Sequence, residues 1–194
     1  MKSIEEIKNE LKSNLSEKRY EHSIGVMEKA IELAKIFGED EEKAAYVGLV
    51  HDIAKEMTEE ELLEYISTNN IKLTKEDKLV SSMLHGIVGA DIVKQKYGFT
   101  KEMQDAIYYH TTGRENMTLL DKIVYVADKS EERTRNSEHA NKLREITKKK
   151  GLEEAFLFVL EDWTIPKSIE KRKMIHPNSI YARNDIIAKL KPEN

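Results

Sequence analysis

Histidine and aspartate stand side by side at His51-Asp52, within Val47-Gly48-Leu49-Val50-His51-Asp52-Ile53-Ala54-Lys55, a stretch otherwise built from small and apolar residues. An imidazole and a carboxylate are costly to bury together unless something compensates them, and a bound cation compensates best. Read as a buried helix, with successive side chains about 100° apart, the stretch lets the pair grip a metal from two directions without a loop. The chain offers partners. His22 lies in Arg19-Tyr20-Glu21-His22-Ser23, His85 in Met83-Leu84-His85-Gly86, His110 at the end of Ala106-Ile107-Tyr108-Tyr109-His110, and Asp128 in Val126-Ala127-Asp128-Lys129. Each is one polar residue in a mostly apolar helical segment. A single histidine so placed is ordinarily a hydrogen-bonded core residue. Four of the six histidines in such settings, one beside an aspartate, point instead to a shared nitrogen-and-oxygen site for one or two borderline transition metals.

His22, His51, Asp52 and Asp128 form the core of that set. His85 and His110 have two open roles. Either they hold a second metal, with Asp52 bridging, or they donate hydrogen bonds to a substrate phosphate. A metal makes its bound water a nucleophile near neutral pH, so no protein nucleophile is required and none is apparent. Asp128 is either a plain ligand or the acceptor of the water's proton. Lys55 follows Asp52 by one turn, within reach of the metal, and joins Asp52 and Asp128 as an expected catalytic residue. Arg133 lies just past the Asp128 helix and could fork onto a phosphate. Thr111 and Thr112 add donors beside His110. The run Lys171-Arg172-Lys173 before His176 could close over a nucleotide, although such runs are ordinarily solvated faces. There is no glycine-rich phosphate loop, so phosphate recognition rests on metal and side chains: Lys55, His85, His110, Thr111, Arg133, Arg172 and His176. His139, in a polar helix, reads as solvated.

The elements that must position these groups read as helices throughout. Apolar residues recur at helical spacing, and sustained period-two alternation is absent. Tyr20, Ile24, Met27, Ile31, Ala34 and Phe37 share a face that Gly38 terminates. Thr58 with Glu61 forms a capping box, Thr74 opens a segment through Leu84, and Gly98 stops the helix from Gly86 to Tyr97. Thr100 starts the helix that ends at His110, and Thr118 with Asp121 starts the one bearing Asp128. Later helices are expected over 138–149, 151–162 and 179–191. The ligands thus come from five helices of an all-α bundle, which converges inward side chains well.

With 194 residues, 39% hydrophobic and 35% charged, the chain suits one helical domain with solvated outer faces. A net charge of −4 argues against general nucleic-acid binding, while leaving room for a locally basic pocket. No cysteine is present, which excludes disulfides, thiolate metal sites and cysteine nucleophiles. The start Met1-Lys2-Ser3-Ile4-Glu5-Glu6 has no apolar signal core and no run approaches a membrane span. The expectation is a cytoplasmic protein without a membrane partner.

The order His, then His-Asp, then Asp resembles the HD superfamily of metal-dependent phosphohydrolases. Longer strings resemble its YqeK-type members: Arg19-Tyr20-Glu21-His22-Ser23, Leu49-Val50-His51-Asp52-Ile53-Ala54-Lys55, Leu84-His85-Gly86, His110-Thr111-Thr112-Gly113, Ala127-Asp128-Lys129, and Ile175-His176-Pro177 with Ala182-Arg183-Asn184. The resemblance covers nearly the whole chain. It implies an HD-domain helical bundle spanning 1–194, with a metal core within 19–133 and a helical cap over 138–194. It also implies symmetrical cleavage of diadenosine tetraphosphate to two ADP, with iron as the usual metal and Mn, Co, Ni or Zn as substitutes. A homodimer is compatible with it. Three other readings share this ligand chemistry: an HD nucleoside monophosphatase, a di-iron oxygenase and a metal-bound sensor without turnover. Guanosine alarmone hydrolases typically carry Glu-Asp where this chain has Ala54-Lys55.

Overall fold

The computed structural model describes residues 2–191, and among them every regular element is a helix. The α-helices in chain order are α1 (Ile4–Asn14), α2 (Glu17–Phe37), α3 (Glu41–Val50), α4 (Glu59–Thr68), α5 (Lys75–Leu79), α6 (Leu84–Tyr97), α7 (Lys101–Tyr108), α8 (Leu119–Ser130), α9 (Glu138–Lys150), α10 (Leu152–Phe158), α11 (Ile165–Glu170) and α12 (Pro177–Leu190). A short 3₁₀ turn, Ser81–Met83, precedes α6, and a π-helical segment, Val159–Thr164, joins α10 to α11. The all-α expectation holds. None of these helices is long and apolar enough to cross a membrane.

Local chemistry explains where the helices begin and end. Ser3, Thr58, Thr74 and Thr118 each form a reciprocal capping box, with Glu6, Glu61, Asp77 and Asp121, satisfying two orphan backbone donors per start. Gly38 and Gly98 end α2 and α6 at φ 83° and 67°, a left-handed conformation that glycine adopts without a Cβ clash.

Two apolar clusters hold the bundle. The larger runs from Ile7 through α2, α3, α8 and α10 to Ile186 on α12, and the smaller packs Ala54, Leu62 and Ile66 against Leu84, Ile87 and Val88. Leu49 and Val50 are wholly buried, each contributing about 1.5–3 kcal/mol by leaving water. Gly48 lets α3 approach α2 closely, since a Cβ there would lie 3.0 Å from both Met27 Cα and the Val26 carbonyl oxygen. That approach sets His51 next to His22. Tyr125 of α8 packs on Phe156 of α10, with ring centroids 4.4 Å apart.

The structure corrects four boundaries. α3 ends at Val50, and His51 is its C-cap. Residues 51–56 form tight turns, with Ile53 N donating to Val50 O and Lys55 N to Asp52 O, both at 2.9 Å. His51 and Asp52 therefore sit on a turn tightened to i→i+3 bonding rather than within a continuing helix. His110 likewise lies in the turn after α7. The segment opened by Thr74 breaks at Val80, and the helix expected over 151–162 passes into π geometry at Val159.

Candidate metal centre

α2, α6 and α8 deliver His22, His85 and Asp128, while the turns after α3 and α7 deliver His51, Asp52 and His110. All six are buried. His22 Nε2 lies 3.0 Å from Asp128 Oδ1, and His51 Nε2 lies 3.8 Å from the same oxygen. Asp52 occupies the middle, and its two oxygens face different partners. Oδ2 is 3.5 Å from His51 Nε2 and 3.9 Å from His22 Nε2; Oδ1 is 3.3 Å from His85 Nε2 and 3.4 Å from His110 Nε2. One carboxylate thus spans two pairs of imidazoles.

The far sides of the rings decide which nitrogen faces inward. His51 Nδ1 lies 2.8 Å from the Gly48 carbonyl and His110 Nδ1 2.6 Å from that of Ile107. A carbonyl only accepts, so both Nδ1 atoms carry the proton and each Nε2 offers a lone pair to the cluster. His22 Nδ1 donates to Glu131 Oε1 at 3.0 Å. Glu131 is itself wholly buried and accepts from the backbone of Arg133 and Thr134 and from the Thr134 hydroxyl. This carboxylate–histidine pair orients the ligand and raises its basicity.

A cation fits the cluster on its own terms. His51 Nε2 and Asp52 Oδ1 are buried without any hydrogen-bond partner, although carboxylate oxygens stand near the first and imidazole nitrogens near the second. Such atoms are costly to bury unless they coordinate something. Two overlapping triads, His22–His51–Asp128 and His51–Asp52–His110, bring their donor atoms within 4.8 Å of one another.

Charge is arranged to suit. Burial alone would push the Asp52 carboxyl up, but His51, His110 and His85 hold it well below the usual carboxylate range. Burial opposes the ionised Asp128 in the same way, but Lys129 and His22 hold its carboxyl well below the usual range too. Burial pushes His51 down, and His85 down to about 4, so both are neutral near pH 7 with lone pairs to give. Burial also depresses His22, but its bonds to Asp128 and Glu131 raise it overall. Three cations contact the ligand carboxylates: Arg19 Nη1 at 2.5 Å from Asp52, Arg135 Nη2 at 3.1 Å from Asp128, and Lys129 on Asp128.

Lys55 stands at the solvent rim and turns its ammonium inward, 3.2 Å from His85 Nε2; burial there lowers its pKa. A charge-assisted contact to phosphate is worth about 1.5–3 kcal/mol. In a site that takes a phosphate ligand, Lys55→Ala is therefore expected to weaken its binding about 10- to 100-fold with metal content unchanged, as read by calorimetry and metal analysis. Wild-type binding would make Lys55 an ordinary surface residue.

Not every expected residue reaches the cluster. Arg133 donates to Glu28 and Glu21 on the exposed side of α2; Arg135 takes the place expected for it. The turn 131–135 makes this switch, held by Arg144 Nη1 donating to the carbonyls of Ser130, Glu131 and Arg135. Arg172 sits exposed at φ 50°, while its neighbours Lys171 and Lys173 line a pocket beside Asp128. His176 is buried against Asp77, 3.3 Å away, and caps α12. Thr111, beside His110, donates to Met83 Sδ. Sequence reasoning assigned no role to Arg19, Lys129, Glu131 or Arg135. Spacing carried part of the signal: Arg19 precedes His22 by three positions and Glu131 follows Asp128 by three, each on its ligand's helix face.

Residues 19–133 match the HD domain family. The chain belongs to the HD domain family. The match encloses all six residues of the cluster, from His22 to Asp128. Relatives of this HD domain protein include one from Halalkalibacterium halodurans, 36% identical over 184 residues, 93% of this chain and 95% of the relative. Another, from Bacillus subtilis, is 43% identical over 119 residues, 61% of this chain and 63% of the relative. Both are named bis(5'-nucleosyl)-tetraphosphatase, symmetrical. A solved structure from Clostridium acetobutylicum, described as a predicted HD superfamily hydrolase involved in NAD metabolism, superimposes with a TM-score of 0.91 at 40% identity. The superposition covers 97% of this chain and 99% of that one. The resemblance to the YqeK-type branch of HD proteins is borne out.

Proposed function

We propose that this chain is a metal-dependent hydrolase that cleaves diadenosine tetraphosphate symmetrically to two ADP. The placement of Asp52 carries the metal part: a buried carboxylate whose two oxygens face two imidazole pairs, with Asp128 beside one of them. The shared name of two relatives, one of them matched over 93% of the chain, supports the substrate. The donor set of imidazoles and carboxylates suits iron, and equally Mn, Co, Ni or Zn. Two ions would suit the cluster, with His22, His51 and Asp128 as donors for one, His85 and His110 as donors for the other, and Asp52 available to both.

A bound divalent ion supplies charge neutralisation at phosphorus and an activated water. The remaining work falls to the chain. Arg19, Lys55, Lys129 and Arg135 ring the ligands and provide donors for phosphate oxygens, a better match to a polyphosphate than to a neutral polyol. Burial of the six ligands keeps bulk water from competing with the substrate. Asp128, held ionised by Lys129 and His22, serves better as a ligand than as a proton acceptor, because so acidic a carboxylate takes up protons poorly.

Hydrolysis of diadenosine tetraphosphate in oxygen-18 water tests the reading. Water oxygen joins the second phosphorus, the bridging bond to the third breaks, and both products are ADP. Chromatography should show ADP alone, with one labelled oxygen per cleavage. AMP with ATP would overturn the register, and turnover of AMP to phosphate without cleavage of the dinucleotide would favour a monophosphatase.

A further inference from the structure

A pocket of about 440 Å³ lies between α8 and the π-helical segment, within the range of small-molecule sites. Lys129, Arg135, Lys167, Lys171 and Lys173 line it, with no carboxylate among the lining residues. Five cations facing one space is unusual in a chain of net charge −4. Lys129 and Arg135 both line this pocket and contact the Asp128 carboxylate, so these two side chains form the wall between it and the candidate metal cluster. A groove of similar size, bordered by Lys29, Ile36 and Arg144, includes Glu32 and Glu132 and neither of the two cations that contact Asp128.

The same pocket carries the chain's single tryptophan, Trp163. Trp163 belongs to the π-helical segment, a rare geometry that recurs at functional sites. His139, which is not part of the pocket wall, packs against the indole at a centroid distance of 5.5 Å. The ring is therefore held in place yet half-exposed to the cavity.

We propose that this pocket seats one nucleoside diphosphate half of the substrate, with Trp163 as the platform for its base and Lys167, Lys171 and Lys173 as counter-charges for its phosphates. The assignment rests on the hydrolase reading for its substrate but is tested through binding of a nucleoside diphosphate. Stacking is tolerant of base identity because every base presents a π-face. The pocket thus selects for the presence of a base and two phosphates, and accepts GDP as well as ADP.

Tryptophan fluorescence of the metal-loaded protein reads the contact directly, since Trp163 is its only source. ADP should quench the emission saturably, and inorganic pyrophosphate should not. Trp163→Ala should raise the Kd for ADP by about 10- to 100-fold in calorimetry, with metal content intact. Trp163→Phe, which keeps a stacking face and guards against a folding failure, should stay within about threefold of wild type. Lys167→Ala with Lys171→Ala should weaken ADP and pyrophosphate alike. Unchanged emission at saturating ADP, no ADP binding, or wild-type affinity in Trp163→Ala would overturn the assignment. Quenching by ADP without cleavage of diadenosine tetraphosphate would sink the hydrolase reading and leave the pocket standing. Cleavage to ADP without quenching would do the reverse.

Discussion

Asp52→Ala is expected to lower turnover by about a thousandfold or more, since the ion it positions stabilises the transition state by several kcal/mol. The same substitution should strip metal from the protein. Asp52 is the one side chain that faces all four imidazoles, within 3.9 Å of each inward nitrogen. Its loss leaves His85 and His110 without the anion they share, and leaves His22 and His51 with Asp128 alone. It also leaves Arg19 facing the cluster without its partner, adding positive charge where a cation must bind. Asp52→Asn keeps the shape and removes the charge, which separates electrostatics from packing; it should lose nearly as much. Steady-state kinetics with metal analysis on the purified variants checks this. Near-normal activity of Asp52→Ala without bound metal would refute the site.

Removal of the metal is expected to lower the thermal midpoint by about 8–16 °C. A ligand at about 1,000 times its Kd stabilises the native state by roughly 4 kcal/mol. For a domain of this size, each kcal/mol moves the midpoint by about 2–4 °C. The protein should stay folded without metal, because Arg19, Lys129 and Arg135 already offset part of the charge on Asp52 and Asp128. Melting curves with and without chelator, then after adding metal back, measure the effect. An unchanged midpoint in protein verified to be metal-free would show that the cluster does not hold a stabilising ion.

Much of this architecture was legible because it is written locally. Capping boxes at Thr58 and Thr118, and glycines at 38 and 98, mark helix ends through bonds within a few residues. The six ligands stood out as polar residues in apolar surroundings. What escaped was decided by distant contacts. Nothing near Val50 signals the end of α3, since Ile53 and Ala54 continue the apolar pattern. Arg133 and Arg135 lie in one turn, which Glu131 and Arg144, the latter arriving from α9, fold so that Arg135 reaches Asp128 and Arg133 reaches α2. His176 met Asp77 from the far end of the chain. The π-helical segment is likewise set by packing, because the pattern around Phe158 is that of an ordinary helix.

His22 and Asp128 meet across 106 positions, and that separation governs when the centre can exist. Bringing two points so far apart in sequence together costs loop entropy before any contact repays it. During synthesis the donor set stays incomplete until α8 has left the ribosome, so an ion cannot guide the early collapse of α2 onto α3. It would meet a framework already formed by apolar packing and, held by the six clustered residues, would tie α2, α6, α8 and two turns together at once. Interactions absent from the folding barrier act mainly on escape from the native state. The metal of this bundle is therefore a late-fastened cross-link: it lengthens the life of the folded chain more than it hastens its birth.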